Sequence, residues 1–162
     1  MALHVVLVEP EIPQNTGNIV RTCAATGCVL HLVEPLGFSI DDKQLKRAGL
    51  DYWHLLDIRY HASLEKFLAV CGNERLILLT TKAQQTYSDF QYRDGDYLVF
   101  GKETRGLPEA FIHAMYQTSV RIPMRKDARS LNLSNAVAIE VYEALRQLSF
   151  PGLSSAGCLR GY

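Results

Sequence analysis

Short apolar runs alternate with longer amphipathic stretches along the chain. Leu3 to Val8 is rich in valine and leucine and predicts a buried strand. Pro10 and Pro13 stop it and stiffen the loop that follows. Asn15 or Thr16 is expected to cap a helix running to about Thr26, with Ile19, Val20, Cys23 and Ala24 on one face and Gly27 closing it. Val29 to Val33 predicts a second strand, ended by Glu34-Pro35-Leu36-Gly37. A strand, a helix and a strand in succession imply a parallel pair joined by a crossover helix. The alternation continues. Asp41-Asp42 opens a short helix through about Ala48, His54 to Tyr60 predicts a strand, and Ser63 to Cys71 a helix. Arg75 to Thr80 and Asp96 to Phe100 predict strands, Pro108 at a first helical position opens a helix to about Tyr116, and Ser119 to Ile122 is a short strand. Ser134 is expected to cap the last helix, which buries Val137, Val141, Leu145 and Leu148. The expected architecture is one α/β domain over residues 1–150, a mostly parallel sheet flanked by helices, with residues 151–162 as a loose tail.

Composition narrows the class. A chain of 162 residues suits a single core, and 48% hydrophobic with 21% charged residues is ordinary for a globular protein. No apolar run reaches membrane-spanning length, and no basic region precedes a long apolar stretch at the start, so a cytoplasmic protein without a membrane segment is expected. Cys23, Cys28, Cys71 and Cys158 form no CxxC pair, and Cys23 and Cys71 read as small core hydrophobes. The five histidines are scattered without metal-ligand spacing, so no metal site is expected. Net charge is zero, which shifts any nucleic-acid role onto local patches. Two exist: Arg121, Arg125, Lys126 and Arg129, and Lys43, Lys46 and Arg47. Charge alone favours a solvated face for either.

Ligands of open parallel sheets bind at the carboxyl ends of strands, so the loops there carry the candidate chemistry. After the first strand, Asn15-Thr16-Gly17 meets a helix start, and Arg21 lies about one turn inside, pointing back. Thr80-Thr81-Lys82 follows another strand and is a weak signal. Gly101-Lys102-Glu103-Thr104-Arg105-Gly106 lacks the Lys and Ser/Thr of a phosphate loop, but its two glycines suit a tight loop approached by a ligand. Pro123 to Ala136 is long and dense in amides, hydroxyls and bases. No G-x-G-x-x-G occurs, and no nucleophile–base spacing stands out. Taken residue by residue, the pattern indicates a polar site for an anionic or nucleotide-like ligand and names no reaction.

Asn15-Thr16-Gly17-Asn18-Ile19-Val20-Arg21, Phe100 to Leu107, and Ile122-Pro123-Met124 followed by Ser130 to Ala136 resemble, in order and spacing, the three signatures of SPOUT-class RNA 2'-O-methyltransferases. The match spans about Leu3 to Leu148, and Glu34 to Phe38 with Asp41 to Tyr52 is similar to the minimal TrmL branch. The resemblance implies a C-terminal trefoil knot, a homodimer with sites at its interface, and S-adenosyl-L-methionine lined by Leu79, Gly101, Ile122, Ser130, Leu131 and Leu133. It implies methylation of the ribose 2'-hydroxyl of the wobble nucleotide, position 34, a cytidine or uridine derivative, in leucine tRNAs. Arg21, Glu103, Asn15 and Asn132 would be the catalytic set, and Arg21, Arg125, Lys126, Arg129 and Tyr142 would meet RNA. A guanidinium holds its proton tightly, so Arg21 is expected to position phosphate and stabilise a developing alkoxide, with Glu103 the better-placed carboxylate for any true base. The rivals are a TrmH-type ribosomal RNA 2'-O-methyltransferase, which usually carries an extra domain, and a non-catalytic RNA- or nucleotide-binding module, which would show broken motifs.

Overall fold

In the computed structural model, which describes residues 2–41 and 43–161 (49 and 50 by backbone only), strands and helices alternate except at one point, where two strands follow each other with only a short 3-10 turn, Tyr87–Asp89, between them. They are β1 (His4–Val8), α1 (Pro13–Thr26), β2 (Val29–Val33), α2 (Lys43–Trp53), β3 (Ile58–His61) and α3 (Leu64–Cys71). There follow β4 (Leu76–Leu79), β5 (Tyr97–Phe100), α4 (Glu109–Ala114), β6 (Ser119–Val120) and α5 (Leu133–Gln147). The strands form one six-stranded sheet in the order β3-β2-β1-β5-β4-β6, and every pairing is parallel. This bears out the α/β reading.

A parallel sheet covered on both faces needs apolar side chains pointing both ways, which is why these strands read as unbroken apolar runs. Val5 and Leu7 point to a core shared with Ile19, Val20 and Cys23 of α1 and Val137 and Val141 of α5. Val6 and Val8 point to the other face, under Phe67 and Cys71 of α3 and Phe111 and Ile112 of α4. Cys23 and Cys71 are buried, as small core residues should be. β1 and β5 are sheet neighbours although most of the chain separates them, and from them the order diverges. Such a switch point opens a crevice at the strands' carboxyl ends.

Several boundaries differ from expectation. α1 begins at Pro13, with Ile12 at the N-cap and no side-chain cap. Asn15 and Thr16 therefore lie inside the first turns and are buried, because the proline's fixed φ starts the helix earlier than a polar cap would. Arg21 consequently sits roughly two turns in, not one. The short helix expected from Asp41-Asp42 to Ala48 is instead Lys43–Trp53; Asp42 lies outside the described residues. That longer helix displaces the third strand from His54–Tyr60 to Ile58–His61. Ser63 caps α3, its side chain accepting from the Lys66 amide. Pro108 is the N-cap of α4 rather than its first residue. Asn132, not Ser134, caps α5, its side chain accepting from the Ser134 and Asn135 amides. Residues 151–161 form no helix or strand, yet Leu153 packs against the core.

Candidate active site

A cleft of about 570 Å³ opens at the carboxyl ends of β4, β5 and β6. That is within the roughly 300–1,000 Å³ typical of ligand pockets. Leu79 ends β4, Gly101 follows β5, and Ile122 lies just past β6; Ser130, Leu131 and Leu133 lead into α5. All six line this one cleft. The loops that resemblance singled out, distant in the chain, are thus gathered in space.

The loop after β5 is closed on itself by a bridge between Lys102 and Gly106, with the Gly106 amide donating to the Lys102 carbonyl at 2.9 Å. Gly106 has φ 68°, which favours glycine. A Cβ on Gly101 would stand 2.1 Å from the Gly106 carbonyl carbon and 2.2 Å from the Leu107 nitrogen. Gly101 is therefore demanded first by the loop's own closure.

This loop is clasped to the start of α1 in both directions. The Glu103 carboxylate accepts from the backbone amides of Glu11 at 2.8 Å and Ile12 at 3.1 Å, and from Asn15 Nδ2 at 3.3 Å. Negative charge on the free amides of a helix start is favourable. In return the Glu11 carboxylate accepts from the Thr104 hydroxyl at 2.7 Å and its amide at 3.2 Å, which holds the Glu11 carboxyl below its ordinary pKa. Asn15 Oδ1 accepts from Asn132 Nδ2 at 3.0 Å, while Asn132 Oδ1 accepts from the Ser134 amide at 2.9 Å and hydroxyl at 2.6 Å. One chain of hydrogen bonds, Glu103–Asn15–Asn132–Ser134, therefore ties the three loops together along the cleft wall. Just before the clasp, Glu9 has φ 53°, a strained conformation for a non-glycine residue and a common feature of functional sites.

The cations divide into two kinds. Lys102 pairs with Glu9 at 3.3 Å, and Lys82 pairs with Glu109. Arg129 lines the cleft, whereas Arg125 and Lys126 stand exposed on the same loop. None of these three pairs with a carboxylate among the described residues. Tyr142, on α5, is 47% exposed and lies outside the cleft lining. Arg21 is also exposed and outside it; its guanidinium lies over the ring of Tyr52. The structure thus brings nine of the candidates, Leu79, Gly101, Ile122, Ser130, Leu131, Leu133, Glu103, Asn15 and Asn132, to the cleft together with Arg129, and leaves Arg21 away from it.

Sequence reasoning missed the clasp between Glu11 and Thr104, since nothing local pairs residues so far apart. It also missed a row of histidines, His4, His31 and His61, on the sheet face under α3, and a buried Glu140 bonded to the Tyr92 hydroxyl. Burial pushes the Glu140 carboxyl up to about 7. The signal was there for His4 and His31, each set in an expected strand of otherwise apolar residues, but His61 lay just outside the expected third strand.

Comparison with known proteins places this architecture. Residues 2–142 match the SpoU rRNA Methylase family. An Escherichia coli K12 relative, a tRNA (cytidine(34)-2'-O)-methyltransferase, is 54% identical over 151 residues, covering 93% of this chain and 96% of its own. A solved structure concerned with 2-OH methylation of C/U34 on tRNA superimposes with TM-score 0.87 at 47% identity, over 91% of this chain and 97% of that one. An AdoMet-bound rRNA methyltransferase from Sinorhizobium meliloti superimposes with TM-score 0.82 at 26% identity, over 91% of this chain but 57% of that larger one. With the family model spanning nearly the whole sheet and every loop of the cleft, this chain belongs to the SpoU rRNA Methylase family, the SPOUT class of RNA methyltransferases.

Proposed function

We propose that the protein transfers a methyl group from S-adenosylmethionine to the ribose 2'-hydroxyl of nucleotide 34 of tRNA, with leucine isoacceptors as its substrates. The observation that carries this reading is the single cleft in which all three signature loops meet. The high identity to a tRNA (cytidine(34)-2'-O)-methyltransferase over nearly the full length of both chains supports the substrate. It weighs against the ribosomal alternative, because the rRNA methyltransferase above is a much larger chain and far less similar.

The cleft suits the cofactor: apolar walls at Leu79, Ile122, Leu131 and Leu133, a hydroxyl at Ser130, and exposed backbone at Gly101. When bound, S-adenosylmethionine supplies an electrophilic methyl group on a sulfonium centre. The chain's own residues then have to orient the ribose and stabilise charge on its oxygen. Glu103 has both oxygens committed to donors, so we assign it to holding the β1–α1 loop against the cleft rather than to accepting a proton. Asn15 and Asn132 extend that scaffold. Arg21, a permanent cation, positions phosphate and stabilises the developing alkoxide while the hydroxyl proton passes to solvent water. Its place outside this chain's cleft supports a homodimer in which Arg21 serves a second copy's site; so do the exposed Ile139 and Tyr142 on α5. The trefoil knot belongs to the same reading. β6 lies beyond β4 at the sheet edge, while α5 returns to pack on α1 and β5, so the chain between them passes the cleft.

Incubation with labelled S-adenosylmethionine and either total tRNA or ribosomal RNA, followed by mapping of the modified nucleotide, tests the assignment. Label at the 2'-oxygen of position 34 in leucine tRNAs is expected. Label confined to ribosomal RNA would overturn the substrate, and no label with retained cofactor binding would favour a non-catalytic module. Light scattering should return twice the 18.2 kDa chain mass.

A further inference from the structure

We infer that Tyr52 is a positioning residue for methyl transfer, acting through Arg21; this rests on the reading that Arg21 serves the RNA. The guanidinium carbon of Arg21 lies 5.2 Å from the centroid of the Tyr52 ring. The contact is built into the packing of two helices. Gly17 on α1 meets Ala48 on α2 so closely that a Cβ on Gly17 would stand 2.3 Å from the Ala48 Cβ and 3.1 Å from the Leu45 carbonyl oxygen. Leu45 is fully buried beneath this approach. Arg21 follows Gly17 by one helical turn, and Tyr52 follows Ala48 by one turn, so each pair shares a face. The close approach at Gly17 and Ala48 therefore delivers the guanidinium onto the ring.

The chemistry of the contact suits a working cation. Among the described residues no carboxylate pairs with Arg21. A carboxylate would occupy the guanidinium's donors and cancel its charge. An aromatic face attracts the cation through the ring quadrupole and leaves the planar fork of N–H donors free for phosphate or ribose oxygens. Holding a long side chain in one geometry beforehand also removes part of the ordering that RNA binding would otherwise require. Tyr52 is 38% exposed, so the pair stands at the surface where an RNA can reach it.

The test compares kcat, KM for tRNA and S-adenosylmethionine affinity in Tyr52→Leu, Tyr52→Gln, Tyr52→Phe, Arg21→Ala and the Arg21→Ala/Tyr52→Leu double variant. Tyr52→Leu and Tyr52→Gln should lower kcat roughly 3- to 30-fold, the range a cation–π contact supports, with cofactor affinity unchanged. Tyr52→Phe keeps the ring face and should stay within about twofold of wild type. The double variant should be no worse than Arg21→Ala alone, since the ring then has no cation to hold. Full turnover of both non-aromatic variants alongside an inactive Arg21→Ala would overturn the inference and leave Arg21 in place. Equal losses in Tyr52→Phe and Tyr52→Leu, or additive losses in the double variant, would also overturn it. Full activity of Arg21→Ala would instead overturn the underlying reading.

Discussion

Two chains of hydrogen-bonded side chains run through this protein, and they are built in opposite ways. The first, Glu103–Asn15–Asn132, runs along the cleft, carries a carboxylate, and sits on loops at the carboxyl ends of the strands. The second, His4–His31–His61, runs across the interior of the sheet. His4 Nδ1 meets His31 Nε2 at 2.9 Å, and His31 Nδ1 meets His61 Nε2 at 2.9 Å. The first network is anchored by backbone amides and is satisfied when charged. Among the described residues the second has no carboxylate partner, and it lies against Phe67 and Tyr97, so it is satisfied when neutral. Three neutral imidazoles hold three ring protons, one in each N···N gap and one on an outer nitrogen, and a fourth would place a charge in an apolar layer. The first network thus holds the loops of the cleft together, whereas the second is consumed within the sheet.

The largest effect is expected from closing off the cleft network at its tightest point. Gly101→Val drives a side chain into the Gly106–Leu107 backbone and should abolish S-adenosylmethionine binding by calorimetry in a protein that retains its circular dichroism. Unchanged affinity would remove Gly101 from the site. Glu103→Gln comes next. It sets an amide NH2 group against backbone N–H donors, losing charge-assisted hydrogen bonds worth about 2–3 kcal/mol, so turnover should fall on the order of 100-fold. Cofactor affinity should fall with it, because the clasp shapes the cleft. Lost turnover with intact affinity would instead favour Glu103 as a base.

The imidazole row gives the opposite contrast, a pH effect on stability with little effect on the cleft. Burial, followed by the neighbouring imidazoles, pulls His31 down to about 3, and burial also lowers His4 and His61. These folded values lie below the unfolded value, so the unfolded chain binds more protons as pH falls. Stability is therefore full above about pH 6.5 and declines below it, by roughly 2 kcal/mol at pH 5 from His31 alone. Denaturant titrations at pH 7 and pH 5 should show the loss, and His31→Leu should flatten it. An unchanged slope in that variant would place the acid sensitivity elsewhere. The smallest effect belongs to the far end of the cleft network. Asn132→Ala removes the α5 cap and should lower stability by about 1 kcal/mol, with the Asn15 amide left short of one partner. A larger loss on Ser134→Ala than on Asn132→Ala would overturn the assignment of the cap.

The sequence by itself determined the alternation of strands and helices, because the buried faces of a parallel sheet write themselves as local apolar runs. β2 coincides with its expected range, and the other strands fall within a few residues of theirs. It also marked the loops that meet at the cleft, since amides, hydroxyls and bases gathered after Phe100 and before Ala136 stand out from apolar surroundings. What a helix start looks like was less legible. Ile12, ahead of Pro13, and Asn132 took the cap positions over the nearby Asn15, Thr16 and Ser134 because a cap depends on where the backbone turns, which one residue type cannot specify. Only the tertiary structure decided the rest. His4, His31 and His61 line up because parallel register sets His31 opposite Val6 and His61 opposite Val33, stepping two residues per strand along one face. Arg21 meets Tyr52 because two helices touch at a glycine, and Glu103 meets Glu11 and Ile12 because β1 and β5 are neighbours. Each is a contact between residues distant in the chain, set by the order of strands and the approach of helices, and neither quantity is present in any local window of sequence.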